Sequence, residues 1–328
     1  MQYLKHISKY ILILTNTFIT FICYGQVEKQ LTPSEIKQQT IVTEPVTLRK
    51  GFFRAGTMAN YRVADKYFTA DGLREYYTSN IWGTNSSFAF MFQYGISDRL
   101  EIELSTEYMD SRQESQITEV VAFTNTTRTT LINRKGSGIG DSYLKARFQI
   151  IPEERYRISL TGFAKLAIPT GEKNPTGIRS AEQYDLPVGS GTYALTGGLL
   201  ARSILYPYSF TLSFNYSYSF TGSKKFDITD ISELKFRPGN VLEATAGVNL
   251  HLNEWIVFSN EFNYQYKNKD TINGHYSRFL PFSQIASYEP GLVFQVKRFR
   301  FGESVTIPLK GKNTPADPLY TGMIQYVF

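Results

Sequence analysis

Few residues in this chain of 328 are equipped for covalent chemistry, which narrows the search for a site. There are three histidines and one cysteine, and both His6 and Cys23 fall within the first 25 residues. His251 and His275 remain, far apart in sequence. A nucleophilic site needs a nucleophile, a base and an orienting group brought together. His251 shares a polar strand face with Glu243 and Asn249, but it falls beside a tight turn, at the rim of the fold. His275 sits near Asn273 and Ser277 in a long loop, where a solvated histidine is the simpler reading. "GSGIGD" (136–141) invites a nucleotide-binding reading, yet the third glycine of that motif would fall at Asp141 and no Gly-Lys-Ser/Thr follows. "TGEKNP" (170–175) resembles a zinc-finger linker, but no Cys or His ligands flank it. No catalytic residue, cofactor or metal ligand is therefore expected.

Paired charge is what the sequence does offer. "RLEIELSTEY" (99–108) carries Glu101, Glu103 and Glu107 at alternate positions, and "DSYLKARFQI" (141–150) carries Lys145 and Arg147 in the same rhythm. On neighbouring strands such charges either pair with one another or line a pore and set its ion preference. Both readings stay open at this stage.

The elements that must position these charges are strands. "SFTLSFNYSYSF" (209–220) alternates aromatic or leucine residues with Ser, Thr and Asn for its whole length, which marks a strand with one apolar and one polar face. "GFFRAGTMANYRV", "SFAFMFQYGIS" and "RLEIELSTEY" repeat the pattern. The strand at 209–220 extends over about 207–221, and further segments fall near 141–150, 155–169, 191–205, 239–252, 254–267, 283–296, 298–309 and 319–328, twelve strands of roughly ten to sixteen residues in all. Tight joints ("ISDRL", "IPEERY", "LYPY", "LNEW", "VKRFR") alternate strictly with long ones near 65–84, 110–138, 169–190, 222–238, 268–282 and 310–318. An up-and-down transmembrane barrel with short periplasmic turns and long extracellular loops produces that rhythm, whereas a Greek-key sandwich has no reason to keep it.

Closure then turns the polar face inward, because a sheet in hydrocarbon must satisfy its backbone within itself. Arg54, Arg62, Glu101, Glu103, Glu107, Lys145, Arg147, Lys165, Arg202, Glu243, Glu261, Glu289 and Arg300 are the expected lumen-facing residues. Tyrosines bunch toward strand ends, as an interfacial aromatic girdle would. Asn260 and Glu303 fall on the apolar face by simple counting, and a bulge or altered register would return them inward.

Composition agrees with an exported all-β chain. Lys5, His6 and Lys9 precede the apolar run "YILILTNTFITFICYG", and Cys23 and Gly25 sit at the −3 and −1 positions of a cut before Gln26, so residues 1–25 read as a signal peptide. A lipid anchor at Cys23 is disfavoured by the bulk of Ile22. Residues 26–48 read as a flexible periplasmic lead-in and 49–328 as an outer-membrane β-barrel. The formal charge of +6 is spread without a Lys/Arg-dense stripe, so nucleic-acid binding is not expected.

The end of the chain, "TGMIQYVF", with Tyr326 and Phe328, resembles the closing strand that the outer-membrane assembly machinery reads in Gram-negative bacteria. "GSGIGDSYLKARFQI" (136–150), "LAIPTGEKN" (166–174) and "YGISDRLEIELS" (94–105) resemble landmarks of an outer-membrane transporter family named for the meta-pathway of phenol degradation. The resemblance implies a transport-like barrel in the outer-membrane bilayer, and the family name does not fix its substrate. It brings no catalytic residues. A monomer passing a small-molecule solute by diffusion is expected, with apolar or aromatic solutes among the candidates. Two other readings stand beside it: a non-conducting barrel whose outer loops bind a partner, and a hydrolase carried on those loops.

Overall fold

The computed structural model describes residues 47–76, 82–121, 126–152, 158–176, 185–226, 230–277 and 281–328. The signal peptide expected over 1–25 and nearly all of the lead-in over 26–48 lie outside the described residues. Twelve antiparallel strands close into a barrel. They are β1 (Phe53–Ala64), β2 (Trp82–Ser97), β3 (Leu100–Val121), β4 (Thr126–Ile151), β5 (Ile158–Ile168), β6 (Ala194–Leu205), β7 (Tyr208–Ser219), β8 (Val241–His251), β9 (Ile256–Lys267), β10 (Ser283–Val296), β11 (Phe299–Lys312) and β12 (Leu319–Val327). Each pairs with its sequence neighbour, and β1 closes on β12 in a register from Arg54↔Val327 to Tyr61↔Tyr320.

The faces of the strands explain why the sheet closes. On β7, Phe210, Leu212, Phe214, Tyr216 and Tyr218 are exposed, while Ser209, Thr211, Ser213 and Ser219 are buried. The same inversion runs around the barrel: Phe90, Leu144, Leu199 and Ile324 face out, and Arg54, Gln93, Arg147 and Gln325 are buried. A belt of large apolar side chains outside and polar groups inside is the reverse of a water-soluble protein, and it fits a wall facing lipid. No helix among the described residues is long and apolar enough to cross a membrane, so the crossing falls to strands.

Two sequence expectations need correction. The loop expected over 110–138 is largely strand: β3 and β4 have 22 and 26 residues, and their backbones stay paired from Tyr108↔Ile139 to Val121↔Thr126. Above the membrane a strand needs no lipid face, so the apolar alternation fades while Thr, Val and Ile still favour extended backbone. Asn260 and Glu303 are not returned inward. The register of β9 runs unbroken through Asn260↔Pro290, and Asn260 accepts a hydrogen bond from the outward Tyr288 hydroxyl. Glu303 lies exposed opposite Leu292. The irregularity lies instead between β10 and β11, where Ala286 pairs with Lys310 but Ser287 with Pro308, leaving Leu309 of β11 as the extra residue. On the β11 side the pairs then pass from Tyr288↔Ile307 to Gly291↔Ser304, past Pro290, which has no amide to offer a ladder.

The other long connections carry two small sheets at the loop-side end. One joins Thr314–Pro315, Lys66–Phe68 and Arg74–Tyr76; the other joins Gly222–Lys224, Leu234–Arg237, Thr271–Ile272 and His275–Tyr276. The barrel seam is held by backbone and by rings. The Phe328 amide donates to the Phe53 carbonyl at 2.8 Å, and the Phe328 ring lies 5.5 Å from that of Phe53 and 4.7 Å from that of Tyr326. Tyr326 in turn contacts Phe299 at 4.6 Å. Each such ring pair contributes about 0.5–1.5 kcal/mol beyond its area. Phe328→Ala is therefore expected to destabilise the refolded barrel by about 1–3 kcal/mol, read as a lower urea midpoint for loss of the fast-migrating form on mild-detergent gels.

Candidate functional site

The inward residues at the tight-turn end form a packed polar layer. β3 and β4 align Glu101 with Arg147 and Glu103 with Lys145. Arg147 forms an ion pair with Glu101 and lies 3.7 Å from Glu103, while Lys145 lies 4.0 Å from Glu103. The contacts continue sideways: Gln93 donates to Glu103 at 2.7 Å, and Arg54 donates to Gln93 at 2.7 Å. Glu101 also accepts the Leu48 amide at 2.7 Å, and Thr47 contacts Gln149 at 3.4 Å. The last two residues of the expected lead-in are therefore buried inside the barrel end and tied to β3 and β4. Such partners are what make a buried charge tolerable.

The opposite wall uses neutral donors. Glu289 accepts from Ser304 at 2.8 Å, Thr306 at 3.1 Å and Asn263 at 3.2 Å. Glu243 accepts from Gln265 at 2.6 Å, and Arg300 donates to Gln325 at 3.4 Å. Arg202 and Glu261 are buried in the same end. Gly247 makes room there, since a Cβ on it would lie 2.4 Å from Thr211 Oγ1 and 3.2 Å from Glu261 Cγ. Glu101, Arg147, Arg202, Asn249, Ser159, Thr161 and Ser209 are each less than 2–3% exposed, so solvent does not reach this layer.

Toward the loop side the interior opens into a cavity of about 600 Å³. Of the expected lumen residues, Arg62, Glu103, Lys145, Arg147, Glu243 and Glu289 line it. Arg54, Glu101, Arg202, Glu261 and Arg300 belong to the layer beneath. Lys165 stands with its ammonium 5.1 Å from the Tyr143 ring, and Glu107 lies nearer the loops, beside Gly140. The lining also includes Met58, Met91, Met323, Phe163, Leu200 and Ile285, which a search by charge alone passes over. Their signal was parity: Met58 and Met91 alternate in step with Arg54 and Gln93.

The histidines fall at opposite ends. His251 Nε2 lies 3.2 Å from Ser209 Oγ, but Asn249 donates to that same oxygen at 3.3 Å, and all three are buried in the closed layer. This is interior packing without access for a substrate. His275 is exposed in the four-stranded outer sheet. Among the described residues no group of three or more His, Cys, Asp or Glu could hold a metal ion.

The glycine-rich motif has a structural role at the loop-side rim. Asp141 accepts the amides of Gly171 at 3.2 Å and Ser190 at 2.9 Å. The backbones of Gly140, Gly171 and Gly189 pack directly together, and a Cβ on Gly171 would lie 2.8 Å from Gly189 Cα. Beside them Glu233 accepts from Lys173 at 2.7 Å, from Ser223, and from Asn174 at 2.8 Å. These hydrogen bonds, chiefly that from Lys173, pull the Glu233 carboxyl down to about 2.

The chain matches, over residues 67–314, the family described as "Putative MetA-pathway of phenol degradation". No curated protein matches it. Among solved structures it is similar to the COG4313 outer membrane channel from Pseudomonas putida F1, at 14% identity and a TM-score of 0.67, over 88% of this chain and 100% of that one. It also aligns with the Ralstonia pickettii toluene transporter TbuX, at 9% identity and a TM-score of 0.42, over 90% of this chain and 94% of that one. The CymD monoaromatic hydrocarbon channel gives 8% identity and a TM-score of 0.41, over 85% and 88%. Only the first of these likenesses is strong enough to bear on the fold.

Two outcomes are expected. Glu101→Ala removes the shortest carboxylate contact of the buried Arg147 and should cost about 3–5 kcal/mol, read by urea unfolding in detergent, whereas Glu101→Gln with Arg147→Gln should recover most of it. A depressed carboxyl contributes stability that is complete above its unfolded value near 4.5 and is lost as pH falls through its folded value of about 2. The tie of Glu233 to Lys173, Asn174 and Ser223 should thus resist proteolysis at pH 5 as well as at pH 7, weaken below that, and open near pH 2.

Proposed function

Because the chain belongs to this phenol-degradation pathway family and has the fold of an outer-membrane channel, we propose that it passes small, largely apolar or aromatic solutes across the outer membrane by diffusion. The observation that carries this reading is the lining of the 600 Å³ cavity, where Met58, Met91, Met323, Phe163, Leu200 and Ile285 interrupt a polar wall. Methionine is flexible and polarizable and adapts to varied apolar bodies, while neighbouring amides and carboxylates hold hydroxyl or ring edges. The family's description, which names phenol degradation, points to the same solute class. In this reading residues 1–25 direct export, the assembly machinery reads the strand ending in Tyr326 and Phe328, and the barrel works as a monomer.

Solute would enter from the loop side and meet the layer around Glu101 and Arg147. That layer favours one competing reading, a non-conducting barrel whose outer loops engage a partner. Cells carrying the chain should take up a labelled aromatic solute at limiting concentration faster than cells lacking it. Met58→Trp with Met91→Trp should narrow the cavity and lower uptake severalfold without loss of the folded, heat-modifiable form. Equal uptake with and without the chain, together with no conductance in planar bilayers, would overturn the transport reading and leave the partner-binding one.

A further inference from the structure

Solute passage leaves unused a groove on the outside of the barrel wall. It lies at the loop-side ends of β8 and β9 and the start of β10, has a volume of about 420 Å³, and is lined by Arg237, Asn240, Tyr266, Asn268, Lys269 and Phe282 among others. Strand parity puts it on the lipid side. Tyr266 follows the exposed Phe262 and Tyr264 on β9, and its ring lies 6.2 Å from that of Phe282. Asn240 donates to the hydroxyl of the outward Tyr216 at 2.8 Å. The Arg237 guanidinium lies 4.7 Å from the ring of Tyr218, also outward. Tyrosines on the outer face at strand ends mark the membrane–water interface, so the groove stands at headgroup height.

Its charge is one-sided. Arg237 donates from Nε to the Ser219 carbonyl at 2.9 Å and from Nη2 to Asn240 at 3.4 Å, which fixes the guanidinium plane and leaves Nη1 without a partner among the described residues. Lys269 is exposed and likewise has no hydrogen-bond or ion-pair partner among them. The adjacent acid, Asp270, is already engaged by Lys267 at 2.8 Å and by the Gly239 amide at 2.7 Å. Two cations, one held rigidly, therefore face a pocket walled by aromatic rings.

We propose that this groove binds the phosphoryl headgroup of a lipid of the outer leaflet. The planar fork of Arg237 and the mobile ammonium of Lys269 meet phosphate oxygens, and Tyr266 and Phe282 pack against the sugar or upper acyl carbons. The site depends on the membrane placement of the barrel and not on what passes through its lumen.

The test uses the refolded full barrel in mild detergent, titrated with diphosphoryl lipid A, with the same lipid after phosphate removal, and with inorganic phosphate. Native mass spectrometry reads the bound species. One diphosphoryl lipid per barrel is expected, with Lys269→Gln and Arg237→Gln each weakening it about tenfold. The dephosphorylated lipid should bind far more weakly, and inorganic phosphate should displace the lipid only in large excess. Binding unchanged in both variants, or equal binding of the dephosphorylated lipid, would overturn the proposal. Inorganic phosphate binding as tightly as the lipid would overturn the lipid as occupant. Arg237 also braces Ser219, so if its variant fails to fold, Lys269→Gln, which removes no contact among the described residues, decides alone.

Discussion

A sheet placed in hydrocarbon has no water to satisfy its backbone, and every other feature of this chain follows from that. An open edge is untenable there, so β1 must find β12. Closure fixes which face is inside, and the inside inherits the polar half of every strand. Phe53, Phe299, Tyr326 and Phe328 then reinforce the one join that sequence continuity cannot make. The tight turns and long connections are consequences as well, since an even strand count must reverse at one interface and is free to elaborate at the other.

The inverted interior creates the chemistry. Charges that a soluble protein would leave in water are enclosed, so each needs partners of its own. β1–β4 solve this with a chain from Arg54 through Gln93 and Glu103 to Arg147 and Glu101. β8–β11 solve it with neutral donors around Glu243 and Glu289. The result is a closed polar layer beneath a mixed cavity, and the residues that stabilise the barrel end are the same ones a solute would meet.

Much of this was legible in the sequence because lipid enforces a strict period. β7 shows its two faces residue by residue, and the register that opposes Glu101 to Arg147 follows once β3 and β4 are placed as neighbours. Where lipid stops, so does the signal. The upper halves of β3 and β4 are paired backbone whose sequence lacks the strict apolar alternation, and that stretch reads as loop. Asn260 tolerates the outer face because Tyr288 supplies a partner, a contact no spacing rule contains. Met58 and Met91 share the inward face of Arg54 and Arg62, but an uncharged side chain carries no mark of a cavity in the sequence. "GSGIGD" and "PTGEKN" were visible as motifs, yet only the packing of Gly140 against Gly171 and Gly189, with Asp141 accepting the amides of Gly171 and Ser190, gives them a physical purpose.

The central claim is an interior open toward the loops and closed by a polar layer at the tight-turn end. Cysteine accessibility tests it most directly, because the only native cysteine, Cys23, precedes the barrel. Asn60→Cys in the cavity and Thr161→Cys in the closed layer would each be introduced into a refolded barrel lacking residues 1–25 and exposed to a membrane-impermeant thiol reagent. Rapid labelling at position 60, with position 161 protected until the barrel is unfolded, is the expected result. Comparable labelling at both positions of the folded barrel would contradict the closed layer, and with it the account of how the interior charges are held.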